Sequence, residues 1–130
     1  MKNPYIIISG IINLLTAFIH LIGGQNDLIN PMVKSNLNLQ QKGELLGVWH
    51  MITLFLFYTT IIIFKHGMSS QKAENSGVLK FIGMTYLLFS LPFIICSIWY
   101  WIFAPQWVLL FPIGILILLG LKKSSIEKND

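Results

Sequence analysis

Long apolar runs separated by short polar segments make up most of this chain. Four of the runs carry no Asp, Glu, Lys or Arg: Pro4–Gly24, Leu45–Phe64, Phe81–Phe103 and Pro105–Leu121. Each is about 17–25 residues long, enough for an α-helix to cross roughly 30 Å of hydrocarbon at 1.5 Å per residue. Buried helices of soluble proteins rarely run so far without a charge. Starting the third helix about a turn early, the pattern predicts spans at 4–24, 45–64, 79–103 and 105–121. The first run follows a lysine, as a secretion signal would. It is too long for one and no small-x-small cleavage site follows it, so a permanent span is expected.

The polar segments predict the connections. Residues 25–43, "QNDLINPMVKSNLNLQQKG", are amide-rich and read as a surface loop with a short amphipathic piece broken at Pro31. Residues 65–77 read as a polar loop and 122–130 as a tail, while "FAPQ" joins spans three and four in a tight hairpin. Pro92 and Pro112 are interior to their spans. Each removes a backbone hydrogen bond and should bend its helix, with the freed carbonyl turned toward protein and Ser90 a local donor. The expected fold class is all-α: an integral membrane four-helix bundle, antiparallel up-down, forming one domain over 1–130.

Polar residues inside the runs fall at helical spacing. Span one has Ser9, Asn13, Thr16 and His20, in steps of four, three and four, so they share a face. Gly47, His50, Thr53 and Thr60 are read as the matching face of span two, and Gly83, Tyr86, Ser90, Ser97 and Tyr100 as that of span three. Span four offers Gln106. Lipid rejects such faces, so they should turn inward.

Composition agrees with the pattern. Only 11% of the 130 residues are charged and 55% are hydrophobic, against about 25% charged in an ordinary soluble protein. The formal net charge of +4 comes from lysines alone, spread over loops and ends, with no arginine. That speaks against nucleic acid as a partner. With four spans, Lys2, Lys65, Lys72, Lys80, Lys122, Lys123 and Lys128 fall on one side and only Lys34 and Lys42 on the other. This bias predicts both termini in the cytoplasm. The single cysteine, Cys96, cannot form an intrachain disulfide and reads as a small apolar helix residue. The aromatic set Trp99, Tyr100, Trp101 and Trp107 reads as an interfacial belt.

Two histidines are the candidate chemistry. Counted along their helices, His20 and His50 lie roughly 6–8 Å below the outer boundary. With Gln106 they would form a small polar site in the outer third of the bundle, Asn13 deeper, Glu44 at the rim, and Trp49 and Tyr100 among the flanking aromatics. Two imidazoles from facing helices can hold a metal or the iron of haem b, and Gly23, Gly24 and Gly47 would give a planar group room. A quinone, bonded by a histidine and Gln106, is another candidate ligand. A purely structural role, in which the histidines hydrogen-bond across helices, accounts for the same spacing. The carboxylates all lie at or beyond the span ends, and Ser97 and Cys96 have no evident base, so neither proton-coupled transport nor hydrolysis has its usual residues. His66 is expected in a solvated loop.

The stretch from His20 to Gly24, the Trp49–His50 pair and "APQWVLLFPIG" together resemble a loose group of small bacterial four-span membrane proteins. The resemblance implies four spans and a bacterial inner membrane, and no catalytic residues. The expected function is non-enzymatic: binding a small ligand or partner protein through the outer polar site and residues 25–43. The alternatives are a redox component holding haem, metal or quinone at His20 and His50, and a small homo-oligomeric transporter or channel.

Overall fold

The computed structural model describes residues 3–69 and 76–126. Lys2, Lys72 and Lys128, three of the lysines used for orientation, lie outside the described residues, as do 70–75 of the expected 65–77 loop, of which 65–68 and 76–77 are helical. The described chain is all-helical. Its four long helices are α1 (Pro4–Lys34), α2 (Leu39–Met68), α3 (Ser76–Trp99) and α4 (Gln106–Ile126). Each is long and apolar enough to cross a membrane.

Local chemistry fixes the helix ends. Asn3 caps α1, its side-chain oxygen accepting from the Ile6 N–H at 3.4 Å, with Pro4 in the first turn where no N–H is needed. Asn38 and Gln41 form a capping box at the start of α2. The Gln41 N–H donates to the Asn38 side chain at 2.9 Å and the Asn38 N–H to the Gln41 side chain at 3.1 Å.

The segment 25–43, expected as a loop broken at Pro31, is therefore mostly helix. Beyond Phe18, α1 passes through two π-helical turns, Ile19–Gly23 and Gln25–Ile29, and a final α-helical turn, Asn30–Lys34. The π turns bond five residues back instead of four, which takes up the offset a proline ring imposes on the carbonyl behind it. Amide side chains reinforce the stretch: Gln25 donates to Asn30 at 3.1 Å and Asn30 to Asn26 at 3.3 Å. Only the turn at 35–38 separates α1 from α2.

At one end of the molecule Asn3 joins three helices. Its backbone N–H donates to the Gly67 carbonyl at 3.1 Å and its side-chain amide to the Gly120 carbonyl at 2.8 Å. From this junction α1 packs along both α2 and α4, and α4 packs along α3. Gly114 lets α4 approach α3 closely, since a Cβ there would lie 2.7 Å from the Gly83 carbonyl. α2 and α3 meet mainly through Phe55, Thr59, Tyr86 and Phe89. The interior is Ile6, Ala17, Leu56, Ile63, Leu79, Ile82, Tyr86, Ile113 and Ile117, with Ser9, Asn13, Thr53, Thr60 and Ser90 buried among them.

The inward faces of α1 and of most of α3 are the ones the polar spacing predicts. That of α2 is rotated. Trp49, Thr53, Leu56, Thr60, Ile63 and Gly67 turn inward, while Gly47 and His50 are exposed. Steps of three residues drift about 60° around a helix, so a face started at Gly47 and His50 does not stay with Thr53 and Thr60. Tyr100, also expected inward, is exposed, as is Pro92, and the Ser90 hydroxyl donates to the Leu87 carbonyl at 2.7 Å. The outward faces carry large apolar side chains such as Ile8, Leu15, Ile22, Leu54 and Ile61. So much exposed apolar surface suits contact with lipid rather than water.

Candidate functional site

Two groups of polar side chains occupy different depths. The deeper is centred on Asn13, which is fully buried. Its amide nitrogen reaches the Leu56 carbonyl at 3.1 Å, Thr59 Oγ1 at 3.1 Å and Thr60 Oγ1 at 2.9 Å. Its carbonyl oxygen accepts from the Tyr86 hydroxyl at 2.6 Å, and Tyr86 Oη lies 2.7 Å from Thr59 Oγ1. The protons can run in a closed ring: Asn13 donates to Thr59, Thr59 to Tyr86, and Tyr86 back to Asn13. Each bond polarises the next. The ring joins α1, α2 and α3, and both polar ends of Asn13 are occupied.

The second group lies at the end of the bundle away from Asn3. Here His20, in the first π-helical turn of α1, stacks on Trp49 of α2, ring centroids 3.8 Å apart and planes 13° from parallel. Its Nε2 donates to the Trp49 carbonyl at 3.3 Å, which also accepts from the Thr53 hydroxyl at 3.0 Å. A carbonyl can only accept, so this bond places a proton on Nε2. The Trp49 indole lies against Gly24, where an added Cβ would collide with it. The room that the glycines were expected to leave for a planar cofactor is filled at Gly24 by the protein's own indole.

His20 and His50 lie at matching heights, because the carbonyl that His20 meets belongs to the residue next to His50. His20 is half-buried against Trp49, whereas His50 points outward and is exposed. Among the described residues, no group of three or more His, Cys, Asp or Glu side chains comes together. Two histidines so disposed are a thin set for a metal, since closed metal sites use about four ligands. For haem, His20 Nε2 is already engaged. His66, expected to be solvated, is half-buried in α2, its Nδ1 2.8 Å from the Ile62 carbonyl.

Gln106 and Trp107 open α4 on its inward side, in register with Leu110, Ile113 and Ile117. Counted from the contact between Asn3 and Gly120, Gln106 stands about 21 Å up α4, and His20 about 25 Å up α1. Among the described residues, three buried side-chain atoms lack a hydrogen-bond partner: Trp49 Nε1, Gln106 Oε1 and Trp107 Nε1. All three belong to this end. Trp49 and Gln106 are expected here from the sequence, whereas Trp107, expected in an interfacial belt, is an addition that its spacing to Leu110 and Gly114 signals. Tyr100, by contrast, is exposed with Trp99, Trp101 and Phe103 on the α3–α4 hairpin, and Glu44 is exposed on α2. Trp101, at 93% exposed, holds a positive φ of 52°.

Compared with protein-family models, with curated proteins and with solved structures, the chain matches none.

Proposed function

We propose that this is a non-enzymatic, multi-pass protein of the bacterial inner membrane that binds a small ligand or partner at the His20–Trp49 end of its bundle. The four helices cross antiparallel, up and down, with both termini in the cytoplasm and the His20 end outward. Exposed Lys65, Lys80 and Lys122 near the Asn3 junction support that orientation. Aromatic Trp99, Tyr100 and Trp101 stand about 28 Å away, close to the hydrocarbon thickness of a bilayer. The hairpin of α1 and α2 then rises beyond the outer interface and presents residues 25–43 to the periplasm.

The observation that carries the reading is the contrast between the two polar groups. Asn13, Tyr86, Thr59 and Thr60 satisfy one another and hold helices together. Trp49 Nε1, Gln106 Oε1 and Trp107 Nε1 are buried without partners. Leaving such a group unbonded costs about 1–3 kcal/mol, so three at one end favour a site completed by something else.

Native mass spectrometry of the protein extracted from its own membrane in mild detergent tests this. The expected result is a retained small molecule or a co-purifying partner protein. A bare chain that retains neither after the gentlest extraction overturns the reading. A visible spectrum of the same sample tests the redox alternative, which requires a Soret band that His20→Ala or His50→Ala abolishes.

A further inference from the structure

Two lysines at the Asn3 end flank one groove. α3 and α4 run antiparallel, and their register is set where Gly83 lies against α4: a Cβ there would fall 3.2 Å from Ile117 and 3.3 Å from Leu118. Lys80 precedes Gly83 by about one turn and Lys122 follows Leu118 by about one turn, so both stand on the same side of that contact. At 1.5 Å per residue they lie roughly 5 and 6 Å beyond it, at nearly one level. Gly120, which accepts from the Asn3 side chain, fixes that level at the Asn3 junction. The two lysines also share a flank. Lys122 is on the ridge of Leu118, which lies against Gly83; Lys80 is on the ridge of Met84 and Leu87, and Leu87 lies against Gly114.

We propose that Lys80 and Lys122 together hold the phosphate of an anionic phospholipid in the leaflet at the Asn3 end, one of the phosphatidylglycerol kind. Packed helices have axes about 8–10 Å apart, and two flexible lysine stems on facing flanks converge on one phosphate across that gap. Both lysines are exposed, and the described carboxylates, Asp27 and Glu44, are at the other end of the molecule. Glu74, Glu127 and Asp130 lie outside the described residues. A head with net negative charge gains from both ammonium groups, whereas a zwitterionic head brings a third cation toward them.

The rest of the groove selects a lipid over free phosphate. From the lysines toward the bilayer centre it is bordered by Met84, Leu87 and Leu91 of α3 and by Leu118, Ile115 and Phe111 of α4. Met84, Leu91 and Phe111 are exposed. No Asp, Glu, Lys or Arg lies between Lys80 and Lys122 in the sequence. Acyl chains can lie along this surface while the head stays at the lysines; inorganic phosphate gains nothing from it. Lys65 supplies the contrast. It stands near the same level, two residues from Gly67, but on the outward ridge of α2 with Tyr58 and Ile61, opposite the buried Leu56 and Ile63.

The test offers the purified full-length chain equimolar dioleoylphosphatidylglycerol and dioleoylphosphatidylethanolamine in mild detergent, read by native mass spectrometry. Each lysine beside an anionic head is worth about fivefold in affinity, so phosphatidylglycerol should be retained about 25-fold over phosphatidylethanolamine. Lys80→Gln and Lys122→Gln should each lower that preference about fivefold. Lys80→Arg/Lys122→Arg should keep it, Lys65→Gln should leave it unchanged, and excess inorganic phosphate should not displace the lipid. Equal retention of the two lipids, a loss in Lys65→Gln as large as in Lys80→Gln, or displacement by inorganic phosphate overturns the proposal. The pair is at the opposite end of the bundle from His20 and Trp49. Lys80→Gln/Lys122→Gln should therefore shed this lipid and keep whatever the His20 end binds, which separates the two readings.

Discussion

Tyr86 shows how much one hydroxyl can organise in an apolar setting. It is fully buried, and its oxygen is the part of α3 that reaches both Asn13 of α1 and Thr59 of α2. Replacing it with phenylalanine keeps the ring packing and leaves the Asn13 carbonyl without its donor. Polar contacts between membrane helices average about 0.6 kcal/mol, and a buried group stripped of its partner costs about 1–3 kcal/mol. Tyr86→Phe should therefore destabilise the protein by about 1–2 kcal/mol, seen as a lower unfolding midpoint in a detergent titration. Asn13→Leu/Tyr86→Phe should recover part of that loss, because no orphaned carbonyl remains. Residue-level legibility was uneven. Asn13, Thr60 and Tyr86 were each visible in a polar stripe, but their meeting was not, because Thr60 and Tyr86 stand 47 and 73 positions from Asn13, and Thr59 lay off the stripe read for its helix. Trp49 and His20 are both expected at this end from the sequence, but their stacking is not, because a ring contact between two helices leaves no periodic mark.

At the scale of the helices, two small residues control close approach. A Cβ at Gly114 would lie 2.7 Å from the Gly83 carbonyl, and this neighbour is backbone that cannot swing aside. Gly114→Leu should separate α3 from α4 at a cost of about 1–3 kcal/mol, the usual penalty of overpacking. At Gly24 the obstacle is the Trp49 side chain. Gly24→Ala should thus destabilise less in a Trp49→Leu background than alone, a coupling that a double-mutant cycle in detergent unfolding measures. Helix existence was legible because four uncharged runs of spanning length are hard to read otherwise. Helix length was not. The start of α2 was announced by Asn38 and Gln41, three positions apart, yet amide-rich composition masked that capping signal. α1 continues past Pro31 because π-helical turns absorb what would break a regular helix, and composition alone does not foretell such turns.

For the whole molecule, the arrangement of charge makes a topological prediction. After replacing Cys96 with alanine, Lys34→Cys should react with a membrane-impermeant maleimide in intact cells, and Lys123→Cys only once the membrane is opened. Equal labelling of both in intact cells contradicts the orientation proposed above. The side-by-side order α2, α1, α4, α3, closed by the lighter contact between α2 and α3, was beyond reach of the sequence. Up-and-down chains of four helices can close in either hand and with any pair loosely joined, and the choice rests on side-chain fit that periodicity does not encode.

The backbone N–H of Asn3 donates to Gly67 at the end of α2, and its side-chain amide donates to Gly120 near the end of α4. A ribosome makes the first of these partners long before the second. During synthesis one flank of α1 can dock at once, whereas its other flank faces bilayer lipid until α4 has been threaded in. The bundle is thus fastened in two stages, and the later one has to displace lipid from a surface that had already been wetted by it.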